Sequence, residues 1–107
     1  DGGPAGAAQL NSPQSFAMDA AGRLFIGDEH NNAVRVVARD GTMGTLIGDG
    51  TMGFAADGAA GPEARLNDPE GLAILPDGSL LVTDGDNGRV LRVDPRGRVR
   101  TFAGRTP

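Results

Sequence analysis

Apolar residues along this chain gather in short runs instead of recurring at helical spacing. The first half carries "SFAMD", "RLFIGD", "AVRVVA" and "TMGTLIG"; the second carries "GLAIL", "SLLVTD", "RVLRVD" and "RVRTFAG". Turn-forming residues separate them. "AAG" and "PDG" stand between the first two runs of each half, and in "PDG" Pro presets φ while Gly tolerates a positive φ. "EHNN" and "GDNG" follow the second run and are rich in residues that accept left-handed backbone. "RDG" and "PRG" then lead into the fourth. Short, evenly spaced runs separated by turn chemistry predict antiparallel meanders. One short helical turn is predicted around "PEARL", with Pro62 at its start.

The two halves are one pattern written twice. A shift of 56 residues lays Leu10 on Leu66, Asn11 on Asn67, Asp28 on Asp84, Asn31 on Asn87 and Gly48 on Gly104, and gives 16 identities in 51 aligned pairs. Residues 1–56 and 57–107 therefore read as two units, each a linker followed by four strands. The second strand of each unit decides how they stack. Leu24, Phe25 and Ile26 are consecutive, as are Leu80, Leu81 and Val82, so both faces of that strand call for burial, whereas a sheet with one wet face alternates. Sheets covered on both sides and arranged radially are β-propeller blades. The predicted fold class is all-β, with two four-stranded antiparallel blades.

Composition narrows the function classes. Eighteen glycines and seven prolines fall at regular positions between apolar runs, which fits ordered turns and not disorder. Without cysteine there is neither a disulfide framework nor thiolate chemistry. All ten basic residues are Arg, the usage a GC-rich coding sequence produces. The net charge of −4 and the lack of Tyr and Trp argue against a nucleic-acid partner, which calls for a basic footprint and stacking platforms. No apolar run approaches the roughly 18 residues of a membrane span, so no membrane partner is expected. The compartment is left open.

Propellers close with roughly 4–8 blades, and this sequence supplies two. A blade side of four strands at ~4.8 Å and five residues at ~3.3 Å covers on the order of 300 Å². Leaving two such sides bare exceeds what soluble monomers usually expose. The expected remedy is homo-oligomerisation through a heterologous contact, three chains making a six-bladed ring. The linker "DGGPAGAAQLNSP" is expected to dock against a neighbouring chain's last strand, near residues 102–107. Arg96, Arg98 and Arg100, with Arg105 just beyond, are expected to guard the outer edge.

In a four-stranded blade the connections after strands two and four emerge on one end. Asp1, Asp28, Glu29, Asp49, Asp57, Glu63, Asp68, Glu70, Asp84 and Asp86 fall there, opposed mainly by Arg65 and Arg105, so this loop face is expected to be negative and to favour cations. The candidate binding residues on it are Asp28, Glu29, His30, Asp84, Asp86 and Asn87. The plainer reading of Asp28 and Asp84 is that they end strands and accept turn N–H groups. "DGDNG" at 84–88 fails the EF-hand spacing, because Gly88 and Arg89 stand where an oxygen ligand and the glycine are required, and Pro95 where the bidentate Glu belongs. No cofactor is expected; calcium held by loop oxygens in some other geometry is the divalent-cation alternative. One His and no Cys cannot build a local zinc centre. Ser12, Ser15 and Ser79 lack a Gly-x-Ser-x-Gly elbow, so no catalytic residue is expected.

The stretch "LNDPEGLAILPDGSLLVTDGDNGRVLRVD", with "DGAAGPEA" before it and "TFAG" after, resembles the NHL repeat of multi-repeat propeller proteins. Blade two carries the pattern through Pro69, Gly71, Asp84, Asn87, Arg89 and Val90. Blade one departs from it with Ser15 in place of Gly71 and Ala33 in place of Arg89. The resemblance implies a propeller of usually six blades, often a protein-binding scaffold; some such proteins bind RNA, and related six-bladed folds carry metal-dependent hydrolases and lyases. The expected function is a non-enzymatic scaffold or interaction module whose partners are further copies of itself, a homotrimer, and other proteins. The alternative is a piece of a metal-dependent propeller hydrolase or lyase whose remaining ligands lie in other blades.

Overall fold

A computed structural model describes residues 2–11 and 13–104, so expectations resting on Asp1, Ser12 and Arg105 lie outside the described residues. Eight strands form: β1 (Pro13–Met18), β2 (Leu24–Asp28), β3 (Ala33–Val37), β4 (Met43–Ile47), β5 (Pro69–Ile74), β6 (Leu80–Asp84), β7 (Arg89–Val93) and β8 (Val99–Gly104). They make two sheets, ordered β1-β2-β3-β4 and β5-β6-β7-β8, with every neighbour antiparallel. These are the two predicted meanders, and the fold is that of two propeller blades.

Between β2 and β3, and between β6 and β7, the chain makes one 3-10 turn, at Glu29–Asn31 and Gly85–Asn87. It leaves the first through Asn32 at φ 49° and the second through Gly88 at φ 66°. Asn is among the few L-residues that take this left-handed conformation readily, so the Gly-to-Asn difference leaves the loop shape intact. The short helical turn expected at "PEARL", with Pro62 at its start, is a hydrogen-bonded turn over 61–64 and not a helix, closed by the Ala64 N–H on the Gly61 carbonyl at 3.1 Å. Ala64 and Leu66 both have to reach the core, where each is fully buried, and the chain extends to place them there.

Directly paired residues share a face of a sheet, so the registers define two sides for each blade. Leu80, Val82, Leu91, Val93 and Val99 on one side of blade two pack with Phe25, Val34 and Ile47 of blade one, and Ala55, Ala64 and Leu66 of the linker close over them. All of these are buried. The opposite side of each blade is bare: Phe16 and Met18 of blade one are 75% and 63% exposed, and Phe102 of blade two is 56% exposed.

The linkers cover the outer edges. Gly2 donates to the Met43 carbonyl at 2.7 Å and Met43 donates back to Gly3 at 2.9 Å. Gly58 and Ala59 do the same to Val99, at 2.7 and 2.8 Å. Each linker thus lies along the fourth strand of the blade it precedes, and the linker between the blades also touches the last strand of the blade before it, where Gly48 donates to the Gly61 carbonyl at 3.1 Å. Backbone pairing at the edge therefore comes first in blunting it, with Arg98 adding a bond to the Gly58 carbonyl at 3.0 Å.

Ser15, one of the two departures of blade one, has a compensation opposite it. Ser15 pairs with Gly27 across β1 and β2, while Gly71 pairs with Thr83 across β5 and β6. A Cβ on Gly27 would meet the Ser15 hydroxyl, and a Cβ on Gly71 the Thr83 hydroxyl. Each blade keeps one small and one hydroxyl residue at this pair, on opposite strands.

Candidate functional site

Asp28 and Asp84 end β2 and β6 and are fully buried. Their carboxylates face into the blade ends, out of reach of the solvent-facing loop surface. In blade two, Asp84 Oδ1 accepts the Asn67 N–H at 2.7 Å, and Oδ2 accepts from Asn87 Nδ2 at 2.8 Å and Arg89 Nε at 3.1 Å. In blade one, Asp28 Oδ1 accepts the Asn11 N–H at 2.7 Å, and Oδ2 accepts from Asn31 Nδ2 at 2.9 Å. Both therefore clasp the linker 17 residues upstream. The turn N–H groups go to other aspartates: Asp40, Asp49, Asp77 and Asp94 each accept the N–H of the residue two places on. Those bonds hold the Asp40 and Asp77 carboxyls below the usual range; for Asp94 the N–H of Arg98, four residues on, leads the same effect, and for Asp49 the Arg65 guanidinium does.

Arg89 is the centre of the blade-two clasp. Its side chain has no exposed surface. Nη1 donates to the Ala55 carbonyl at 2.8 Å and to the Thr101 hydroxyl at 3.4 Å, and the guanidinium carbon sits 3.6 Å from the centre of the Phe54 ring. Blade one has Ala33 at the matching place, and Arg35 takes over from two residues along the same face of β3. Its Nη1 reaches Asp28 Oδ2 at 3.5 Å, and it also bonds the Gly44 and Gln9 carbonyls at 3.3 and 3.4 Å.

The remaining predicted residues divide. Asp86 is exposed in the Gly85–Asn87 turn while Asp84 is buried, so the acids of "DGDNG" do not converge on one solvent-facing point. Asn87 spends its amide on Asp84 and on the Gly53 carbonyl, at 2.8 and 2.9 Å. Glu29 and His30 do come together, and a residue outside the predicted set joins them. One ligand atom each of Glu29, His30 and Asp68 lies within 4.8 Å of the others, the one such group among the described residues. Asp68 is carried in by the linker to blade two, where Asn32 Oδ1 accepts its N–H at 2.9 Å and its own carbonyl accepts from Gly85 at 3.2 Å. It is held at φ 66°, a left-handed conformation uncommon outside glycine.

Two carboxylates and an imidazole are hard-to-borderline donors of the kind that hold divalent cations. Loss of hydration and then the hydrogen bond and charge of Asp68, reinforced by Glu70, raise the Glu29 carboxyl above the ordinary glutamate value. A folded-state pKa raised above the unfolded one contributes stability that is fully present below the ordinary glutamate range and lost as pH rises through the raised value. An NMR titration of the Glu29 carboxyl should accordingly show a raised midpoint, brought down by Asp68→Asn. A midpoint that Asp68→Asn leaves in place would contradict this coupling.

Comparison with known proteins follows the same outline. Residues 66–93 match the model of the NHL repeat. Teneurin-1 of Gallus gallus is 35% identical over 111 residues, a match covering 98% of this chain and 4% of that protein. Among solved structures, a catalytically inactive variant of virginiamycin B lyase from Staphylococcus aureus with quinupristin superposes with a TM-score of 0.68 at 16% identity, over 94% of this chain and 30% of that one. A protein of unknown function from Bacteroides thetaiotaomicron VPI-5482 gives 0.70 at 25% identity, over 79% and 22%. This chain thus spans about 4% of the teneurin length and under a third of either solved chain. At 16% identity the likeness to the lyase is one of fold alone.

Proposed function

We propose that this chain, which carries NHL-repeat blades of a β-propeller, is a non-enzymatic interaction module that completes its ring with further copies of itself, three chains giving six blades. One observation carries the reading: the bare sides are the counterparts of the covered ones. Leu72 and Ile74 of blade two pack on the shared core, and their equivalents in blade one, Phe16 and Met18, are the exposed pair. Phe25 and Val34 of blade one are buried, and their equivalents in blade two, Leu81 and Val90, are half-buried on its bare side. The bare side of blade two offers Leu81 and Val90 to the bare side of blade one in a second copy, with Arg92 and Arg100 standing where blade one has Val36 and Gly44. Such a head-to-tail contact repeats until the rotation closes. The solution mass of the purified chain tests it: a multiple of the chain mass supports association, and the mass of one chain contradicts it.

A second reading has its own support in Glu29, His30 and Asp68 together with the fold likeness to a lyase. In it the loop face holds a divalent cation that serves chemistry completed by other blades. Calorimetric titration with Mg²⁺ or Mn²⁺ separates the readings. Stoichiometric binding lost in Asp68→Asn favours the cation site, and no heat above dilution removes it.

A further inference from the structure

Where the two blades meet, the loop end carries a surface of its own, apart from the bare sides. The linker at 51–54 turns Met52 and Phe54 outward there, 65% and 40% exposed. Three hydrogen bonds fix what stands beside them. Gly53 donates to the Leu66 carbonyl at 3.0 Å and accepts from Asn87 Nδ2 at 2.9 Å, while Asp86 donates to the Asn67 carbonyl at 3.0 Å. Residues 51–54, residues 65–68 and the Gly85–Asn87 turn therefore run side by side. Asp68 extends the row to Glu29 and His30. Glu70 closes it, since a Cβ on Gly85 would meet the Glu70 carboxylate and the Asp68 carbonyl.

The charge of this surface is one-sided. Glu29, Asp68, Glu70 and Asp86 form no ion pair with an arginine among the described residues. The arginines beside them are engaged, Arg65 with Asp49 at 2.9 Å and buried Arg89 with Asp84 at 3.1 Å. The opposite end of the blades, by contrast, sets Arg23 on Asp19 and Arg92 on Asp77.

We propose that this surface docks a segment of a partner protein in which lysine or arginine alternates with leucine-sized apolar residues, the cations on the carboxylates and the apolar side chains on Met52 and Phe54. Aromatic residues and methionine are enriched in interface cores, and opposite charge speeds encounter and fixes register. The Phe54 ring is already held on the Arg89 guanidinium, 3.6 Å from its centre, so covering its outer side orders little that is free. The occupant is a partner and not a second copy, because the runs of this chain that mix arginine with apolar residues are β3, β7 and β8, all paired into the sheets. The proposal rests on the reading of the chain as an interaction module, but not on ring closure.

Capped, fluorescein-labelled peptides titrated into the full chain and followed by anisotropy test it. Lys-Leu-Arg-Lys-Leu-Lys is expected to bind, and less tightly as salt rises. The same peptide with serine for both leucines should bind at least tenfold more weakly, the share of two half-covered leucines, and Glu-Leu-Glu-Glu-Leu-Glu should not bind. Glu70→Gln with Asp86→Asn should weaken the first peptide about tenfold, the loss of two exposed charge pairs. Met52→Ser should weaken it too, without touching charge. Both acids and Met52 are exposed, so these chains keep the fold. Asp40→Asn with Asp94→Asn removes equal charge at the opposite end and should leave binding unchanged. Phe16→Glu, on the bare side of blade one, should also leave it unchanged, so that failure to assemble and failure to dock are read apart. Equal weakening by the two double changes, equal binding of the serine peptide, displacement of the peptide by one equivalent of Mn²⁺ at constant ionic strength, or no binding of any peptide would each overturn the proposal.

Discussion

Replacing Arg89 by alanine is expected to destabilise the folded chain by about 3–5 kcal/mol, the cost of stranding a buried carboxylate without its partner. Asp84 is fully buried, and apart from Asn67 and Asn87 its partner is this one guanidinium, 3.1 Å away. The same change removes the bonds to the Ala55 carbonyl and Thr101 and leaves the Phe54 ring without its cation. Against a total stability of ~5–15 kcal/mol this is a large share. In urea it should lower the midpoint by about 2 M, taking a slope of ~2 kcal/mol/M. Arg35→Ala in blade one should cost less, because that pair is longer, at 3.5 Å, and the Arg35 side chain is 12% exposed where that of Arg89 has no exposed surface. Changing Asp84→Leu together with Arg89→Met should recover much of the loss, since well-packed apolar replacements of a buried pair are often neutral. Equal midpoints for Arg89→Ala and the parent chain would contradict the role given to this clasp.

Phe16→Glu is expected to leave the chain folded and to dissociate the assembly. Phe16 stands 75% exposed on the bare side of blade one, so a carboxylate there is solvated in a free chain and buried without a partner in a docked one. An unpaired buried charge at an interface costs about 2–5 kcal/mol, which weakens each contact by roughly 30- to 4,000-fold. The equivalent change in blade two, Leu72→Glu, should act differently. Leu72 packs on the shared core, and a charge there should unfold the chain before it affects association. A Phe16→Glu chain that associates like the parent would show that the bare side of blade one is not the contact.

The strands were legible because turn chemistry punctuates them; every predicted strand is present, with ends shifted by at most two residues. The consecutive apolars of β2 and β6 pointed to two covered sides, and the chain alone covers one of them, leaving Leu24, Ile26 and Leu81 half-buried. What could not be read is non-local. Alignment by position finds Ala33 opposite Arg89 and misses Arg35, although residues two apart on a strand share a face and can serve one carboxylate. The exchange of Ser15 and Gly27 against Gly71 and Thr83 is visible only once the registers pair them. Asp68 lies far along the chain from Glu29 and His30, and the bond from its N–H to Asn32 brings it there. Its sequence signals were its place with Glu29 among the acids of the loop face and the "NDP" that ends the linker, where a short acidic residue meets a strand start.

Sedimentation equilibrium of the purified chain, over a range of concentrations, tests the central claim most directly. Bare sides that carry Phe16 and Met18 on one blade and Leu81, Val90 and Phe102 on the other predict a mass three times the 10.9 kDa of the chain. A single species at 10.9 kDa at every concentration would contradict it.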